Sequence, residues 1–199
     1  DIDSAVARMV TEAARAVATL ADEPSARQQL LDEGAAPPLI NIVADSRIEA
    51  ALPAASLALA RIADHSSAGG ILPQEGCVRP LVSLLGSRMD SGGSVSNADA
   101  SEGLGTGYAQ MIVENCTAAL AALAQLPKNR TRMLNEGAIP PLVSVIASAP
   151  SARPLSFAAL HAAARALASL ALDETLRPKL IAASAPRPLV TLLNAGVGS

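Results

Sequence analysis

Asn135-Glu136-Gly137-Ala138-Ile139-Pro140-Pro141-Leu142-Val143 decides the fold. A polar helix closes on a glycine, and a pair of prolines then opens an apolar helix. Gly137 suits the left-handed backbone that ends a helix. Pro140 or Pro141 suits the first helical turn, where a missing N–H is harmless. The pattern recurs as Glu33-Gly34-Ala35-Ala36-Pro37-Pro38-Leu39-Ile40 and as Glu75-Gly76-Cys77-Val78-Arg79-Pro80-Leu81-Val82. A worn copy reads Ala183-Ser184-Ala185-Pro186-Arg187-Pro188-Leu189-Val190. Four copies in a chain of 199 residues mark a repeat array spanning 1–199.

Outward from each copy, apolar residues recur at helical spacing. Residues 2–21 read as one long helix on Val6, Met9, Val10, Ala13, Val17 and Leu20. Short helices are expected near 25–32, 67–74, 128–135 and 174–183, and apolar ones near 37–44, 79–86, 140–147 and 187–194. Further long helices are expected near 50–64, 109–125 and 154–172, with Pro53 tolerated only in a first turn. The units then run 1–22 (partial), 23–65, 66–126, 127–173 and 174–199 (partial). The chain enters in a third helix and leaves after a second.

Spacing tests this reading. The prolines Pro38, Pro80, Pro141 and Pro188 each follow the last large apolar residue of a long helix, Leu20, Ile62, Leu123 or Leu170, by 18 positions. The return interval varies instead: 24, 43 and 29. Length variation therefore sits in one connection, as expected where insertions gather on one face of a stacked array. The largest insertion, 87–108, is rich in Gly and Ser and is expected to be mobile. Its Ser91, Ser94, Ser96 and Ser101 are candidate phosphorylation sites.

Aromatics are 1% of the chain, Tyr108 and Phe157, so the core must be close-packed helices with small side chains. The formal charge of −3 gives no bulk drive toward nucleic acid or an anionic membrane. No apolar run approaches a membrane span, and no signal-peptide pattern opens the chain. Cys77 and Cys116 form no CxxC and read as small buried residues. Asn115-Cys116-Thr117 and Asn129-Arg130-Thr131 match the glycosylation triplet but fall in predicted helices, which favours an intracellular setting.

The residues resemble armadillo repeats. Glu136–Val143 is similar to that family's turn into its second helix. Ala16-Val17-Ala18-Thr19-Leu20-Ala21, Ala58-Leu59-Ala60-Arg61-Ile62-Ala63 and Ala166-Leu167-Ala168-Ser169-Leu170-Ala171 resemble its third-helix signature. The flavour is closest to the arrays of vacuolar, plant U-box and axonemal proteins. The resemblance implies an all-α, right-handed superhelix of stacked three-helix units whose third helices line a concave groove for extended peptides. Nuclear import receptors of the family use an Asn column and a Trp column there. In this chain the first reads Thr19, Arg61, Ala122, Ser169 and the second reads Arg15, Leu57, Ala118, Arg165, so neither ladder is present. Arg15, Arg61 and Arg165, with Thr19 and Ser169, are the candidate protein-binding residues, and an acidic segment is the ligand their charge suits.

Catalytic signals are weak. Gly103-Leu104-Gly105-Thr106-Gly107 lacks full phosphate-loop spacing, follows no strand and reads as a linker. Asp90, Asp99 and Glu102 do not make a calcium loop. His65 and His161 with two distant cysteines do not make a metal site by spacing. Lys128, Arg130 and Arg132 read as a solvated basic face without aromatic platforms for bases. No catalytic, cofactor or metal residue is assigned. The expected function is a non-enzymatic scaffold or adaptor holding partner proteins by the concave face and the 87–108 loop, as a subunit of a larger assembly. The alternative is the substrate-binding region of a ubiquitin-ligase-type regulator. The expected setting is cytoplasmic or cytoskeletal, axonemal included, ahead of nuclear. Neither end carries a polar cap, so the array is expected to continue or to be covered by partner chains.

Overall fold

The computed structural model describes residues 2–45, 47–64, 68–90, 104–149 and 155–197. Among the described residues twelve helices follow one another: α1 (Ile2–Leu20), α2 (Pro24–Asp32), α3 (Ala36–Ala44), α4 (Leu52–Ala63), α5 (Ala68–Gln74), α6 (Val78–Asp90), α7 (Leu104–Ala124), α8 (Pro127–Asn135), α9 (Ile139–Ala147), α10 (Phe157–Ala171), α11 (Arg177–Ala182) and α12 (Pro186–Val197). A 3₁₀ turn, Glu49–Ala51, leads into α4. No strand occurs among the described residues.

The signature turns behave as their chemistry requires. Gly34, Gly76 and Gly137 take φ of +75°, +84° and +75°. Two N–H groups after each α2-, α5- or α8-type helix turn back onto its carbonyls: Ala138 N donates to Met133 O at 2.9 Å and Gly137 N to Leu134 O at 3.0 Å. These bonds satisfy acceptors that a helix end leaves orphaned. Prolines then occupy the first turns of α3 and α9, and Pro53 lies in the first turn of α4.

Packing follows the register. The long helices α1, α4, α7 and α10 stack in one row, and α3, α6, α9 and α12 stack in a second. Every substantial helix pairing joins helices of the same or adjacent units. The core is a continuous ribbon of Ala, Leu, Ile and Val. Ala55, Ala58, Ala119, Ala121, Ala163 and Ala166 are fully buried between long helices. Alanine on these faces lets backbones approach closely, which is how a nearly aromatic-free chain reaches core density.

Some boundaries differ from expectation. The helix expected at 79–86 runs on to Asp90, and the one expected from 109 begins at Leu104. Both flanks of the 87–108 insertion are therefore helical. Leu104–Gly107 form the first turn of α7 rather than a loop. The four serines proposed for phosphorylation lie outside the described residues. Helix α10 starts at Phe157, where the Ser156 hydroxyl accepts from Ala159 N at 3.2 Å, three residues later than expected. Helix α11 is shorter than expected and α12 longer.

Candidate interaction surface

Helix α4 is buried on most of its circumference, α7 and α10 less so, and on α1 the buried residues are Thr11, Ala14 and Ala18; the open positions include two repeat columns. On α4 only Leu57 and Arg61 reach solvent within Leu52–Ala63. At the same register Arg15 and Thr19 of α1, Ala118 of α7, and Arg165 and Ser169 of α10 are open; Glu12, Met111, Glu114 and His161 are open elsewhere on these helices. A stacked row leaves each helix one outward stripe, with neighbours covering both flanks. The columns inferred from spacing thus lie on one open row, except that Ala122 is 8% exposed and closes it locally.

The guanidinium groups of that row differ in their engagements. Arg61 is spent within the fold: its Nη1 donates to Ala18 O at 2.6 Å and its Nη2 meets Asp22 Oδ1 at 2.7 Å. It ties α4 to the end of α1. Arg15 is exposed and pairs with Glu12 one turn earlier, at 2.8 Å. Arg165 is exposed and has no ion pair among the described residues. Thr19 is exposed and its hydroxyl returns to Arg15 O at 3.0 Å. Ser169 is half-buried.

A second set of arginines, of which Arg130 was read as part of a solvated face, fastens helix ends. Arg27 Nε donates to Ala21 O at 2.7 Å, Arg130 Nε to Ala124 O at 3.1 Å, and Arg177 Nε to Ala171 O at 3.0 Å. Each reaches back six residues, from the first turns of a short helix to the end of the preceding long helix. A cation there meets orphan carbonyls and the negative end of the helix dipole. The repeat offset alone aligns these three residues, so the signal was available in the sequence; glycine, Gly69, holds that place in the second unit. Arg130 is only 8% exposed. Arg132 Nη1 donates to Pro73 O on the neighbouring unit, and Lys128 Nζ lies over Gly70. Arg130 is thus withdrawn from the solvated basic face read from the sequence, whereas Lys128 and Arg132 stay exposed.

The remaining candidates fall apart in space. Cys77 and Cys116 are fully buried, and burial pushes both thiols up to about 12. They are protonated and inert as nucleophiles at neutral pH. His161 is exposed on α10; His65 lies outside the described residues. Asn115 donates to Pro53 O and Ser56 Oγ at 3.0 and 3.2 Å, and Asn129 donates to Leu123 O at 2.9 Å. Both glycosylation triplets are therefore built into helix packing. Among the described residues no three metal-ligating side chains gather, and no helix is long and apolar enough to cross a membrane. A cleft of about 390 Å³ lies between α3 and α6, floored by Val43 and Leu84. Its rim residue Arg79 faces Glu136 at 3.5 Å, and no histidine, cysteine or carboxylate lines it.

Two rows of helices, repeating in register and touching only nearest neighbours, define a helical-repeat α-solenoid. The solved structures it resembles make the class specific. A designed armadillo repeat protein matches over 92% of this chain and 67% of its own, at 28% identity and a TM-score of 0.70. A computationally designed armadillo repeat protein for modular peptide recognition matches over the same shares, at 28% identity and 0.71. Another designed armadillo repeat protein, solved in complex with the peptide (KR)4, matches over the same shares at 27% identity and 0.69. No protein-family model and no curated protein matches the chain. The chain is an armadillo-like α-solenoid.

Proposed function

We propose that this chain is a non-enzymatic scaffold that holds partner proteins, and that it grips an extended, acidic segment along the open row of its long helices. The open row supports this reading. It offers a strip of small and apolar positions, Leu57, Met111 and Ala118, punctuated by Arg15 and Arg165. An extended strand has side chains on alternating faces, so it can set carboxylates against the arginines while its other face stays wet. Arg165 suits the role best, because no ion pair within the described residues competes for it. Arg61, already bound to Asp22 and Ala18, positions the wall of the row rather than the ligand. The (KR)4 peptide held by one structural neighbour is basic; the arginines here favour the opposite sign. A place inside the cell, within a larger assembly, belongs to the same proposal.

Fluorescence anisotropy with an extended Glu-rich peptide and its Lys-rich counterpart tests it. The acidic peptide should bind more tightly. Arg165→Glu should weaken it about tenfold or more, since a charge-assisted hydrogen bond contributes about 1.5 kcal/mol and its reversal adds repulsion. Equal binding of both peptides, or binding indifferent to Arg15→Glu and Arg165→Glu, would sink the proposal.

A further inference from the structure

Phenylalanine occurs once in the chain, at position 157, and there it is 91% exposed. It opens α10 on the open stripe of that helix. Phe157, His161 and Arg165 stand at i, i+4 and i+8, share one face and are all exposed.

The column that Phe157 belongs to is polar in the two preceding units. The repeat offset carries it onto Gln110 of α7 and onto Glu49, which leads into α4. Both are exposed, although α10 packs beside α7 and α7 beside α4. The openness of this column therefore belongs to covered units and does not depend on what lies beyond α12. Two units fill the column with a side chain that water solvates well, and the third fills it with an aromatic ring. The ring plays no part in the core, so packing does not account for the choice. Single exposed apolar residues are common; the residue two turns along the helix sets this one apart.

That residue, Arg165, has no ion pair among the described residues. The eight residues from Phe157 to Arg165 span about 12 Å of helix. An apolar ring and an unpaired cation thus face the same side of α10, about that far apart. An extended segment has a matching width: its successive side chains point to opposite faces, and stacked sheets lie about 10 Å apart. A strand crossing α10 over His161 therefore reaches Arg165 with one side chain and Phe157 with the next. At α7 and at the entry to α4 the same second face meets Gln110 and Glu49, and stays wet there.

We propose, on the reading of the row as a grip for an acidic segment, that Phe157 is a specificity-determining residue of that row. In the segment held there, the residue next to the carboxylate on Arg165 is apolar and packs on the Phe157 ring. Leu57 and Ala118, in the Arg165 column, carry no charge. Helix α10 is thus where two unlike contacts on opposite faces of the segment fix its register.

Fluorescence anisotropy tests this with the peptide (Glu-Ser)4, the same peptide with one inner Ser replaced by Leu, and the same peptide with one inner Glu replaced by Leu. In the first substituted peptide the leucine points away from the carboxylates; in the second it shares their face. The Ser-to-Leu peptide should bind about tenfold more tightly than (Glu-Ser)4, the scale set by burying a leucine side chain. The Glu-to-Leu peptide should gain nothing. Phe157→Ser should abolish the gain and leave (Glu-Ser)4 binding unchanged, and Phe157→Leu, which keeps an apolar side chain, should retain most of it. Arg165→Glu should weaken all three peptides. No gain from the inner leucine, an equal gain at either position, or a gain that survives Phe157→Ser overturns this proposal while the acidic grip stands. A (Glu-Ser)4 peptide that does not bind the unaltered chain overturns the reading of the row, and this proposal with it.

Discussion

Ser184 holds φ of +59° at the place where Gly34, Gly76 and Gly137 stand in the other copies. A residue with a Cβ in the left-handed region is strained by about 1–2 kcal/mol. Ser184→Gly should therefore raise the stability of the last unit by about 0.5–1 kcal/mol, after the larger unfolded-state entropy of glycine is subtracted. Gly137→Ala should lose about 1 kcal/mol even though a methyl there meets nothing within 4 Å. Urea melts of the two variants read both effects. The cysteines make a pH prediction. Their folded thiols are raised from 9.0 to about 12, so between those values the unfolded chain has released protons that the folded one keeps. Unfolding is then favoured by rising pH. Stability should hold below about pH 9 and fall through the range up to about 12, and Cys77→Ala/Cys116→Ala should flatten that fall in denaturation series. Gly137 and its partners were legible from local chemistry. Arg61 was legible only as to place: the sequence put it on the open row, but its bonds to Ala18 and Asp22 depend on how closely α4 approaches α1.

The three arginine clamps show how one element is fastened to the next. Arg130 is nearly buried and bonds both Ala124 O and Gln125 O, the latter at 3.3 Å. Arg177 makes the equivalent bond to Ala171 with its side chain 54% exposed. Arg130→Met should destabilise by about 1.5–3 kcal/mol, since it leaves buried carbonyls without a donor. Arg177→Met should lose less than about 1 kcal/mol, because water replaces the donor. Thermal melts of the pair separate the two outcomes. Helix existence and order were readable from period and punctuation. The extension of α6 to Asp90 and of α7 back to Leu104 was not, because Gly105 and Gly107 signal a loop locally and the apolar pattern beyond them is weak.

The whole molecule is held by nearest-neighbour interfaces, so its stability is distributed along one dimension. Helices α4 and α7 are covered on both flanks, whereas α11 and α12 pack on one side only. Hydrogen exchange should therefore protect the amides of α4 and α7 longest and release those of α11 and α12 first. Uniform protection from α1 to α12 would contradict a stacked array.

The repeat and its phase were readable along the chain, because glycine, proline and the spacing of apolar residues act within one or two turns. Repeat spacing also placed Arg15 and Arg165 in one column and Arg61 in the column one turn along. Three-dimensional packing settled which of them are engaged within the fold and made Arg130 a buried clamp. It also decided that Leu20 and Leu193 face water while their equivalents do not. Those outcomes depend on which side chains meet in three dimensions, and a period read along one chain does not carry that information.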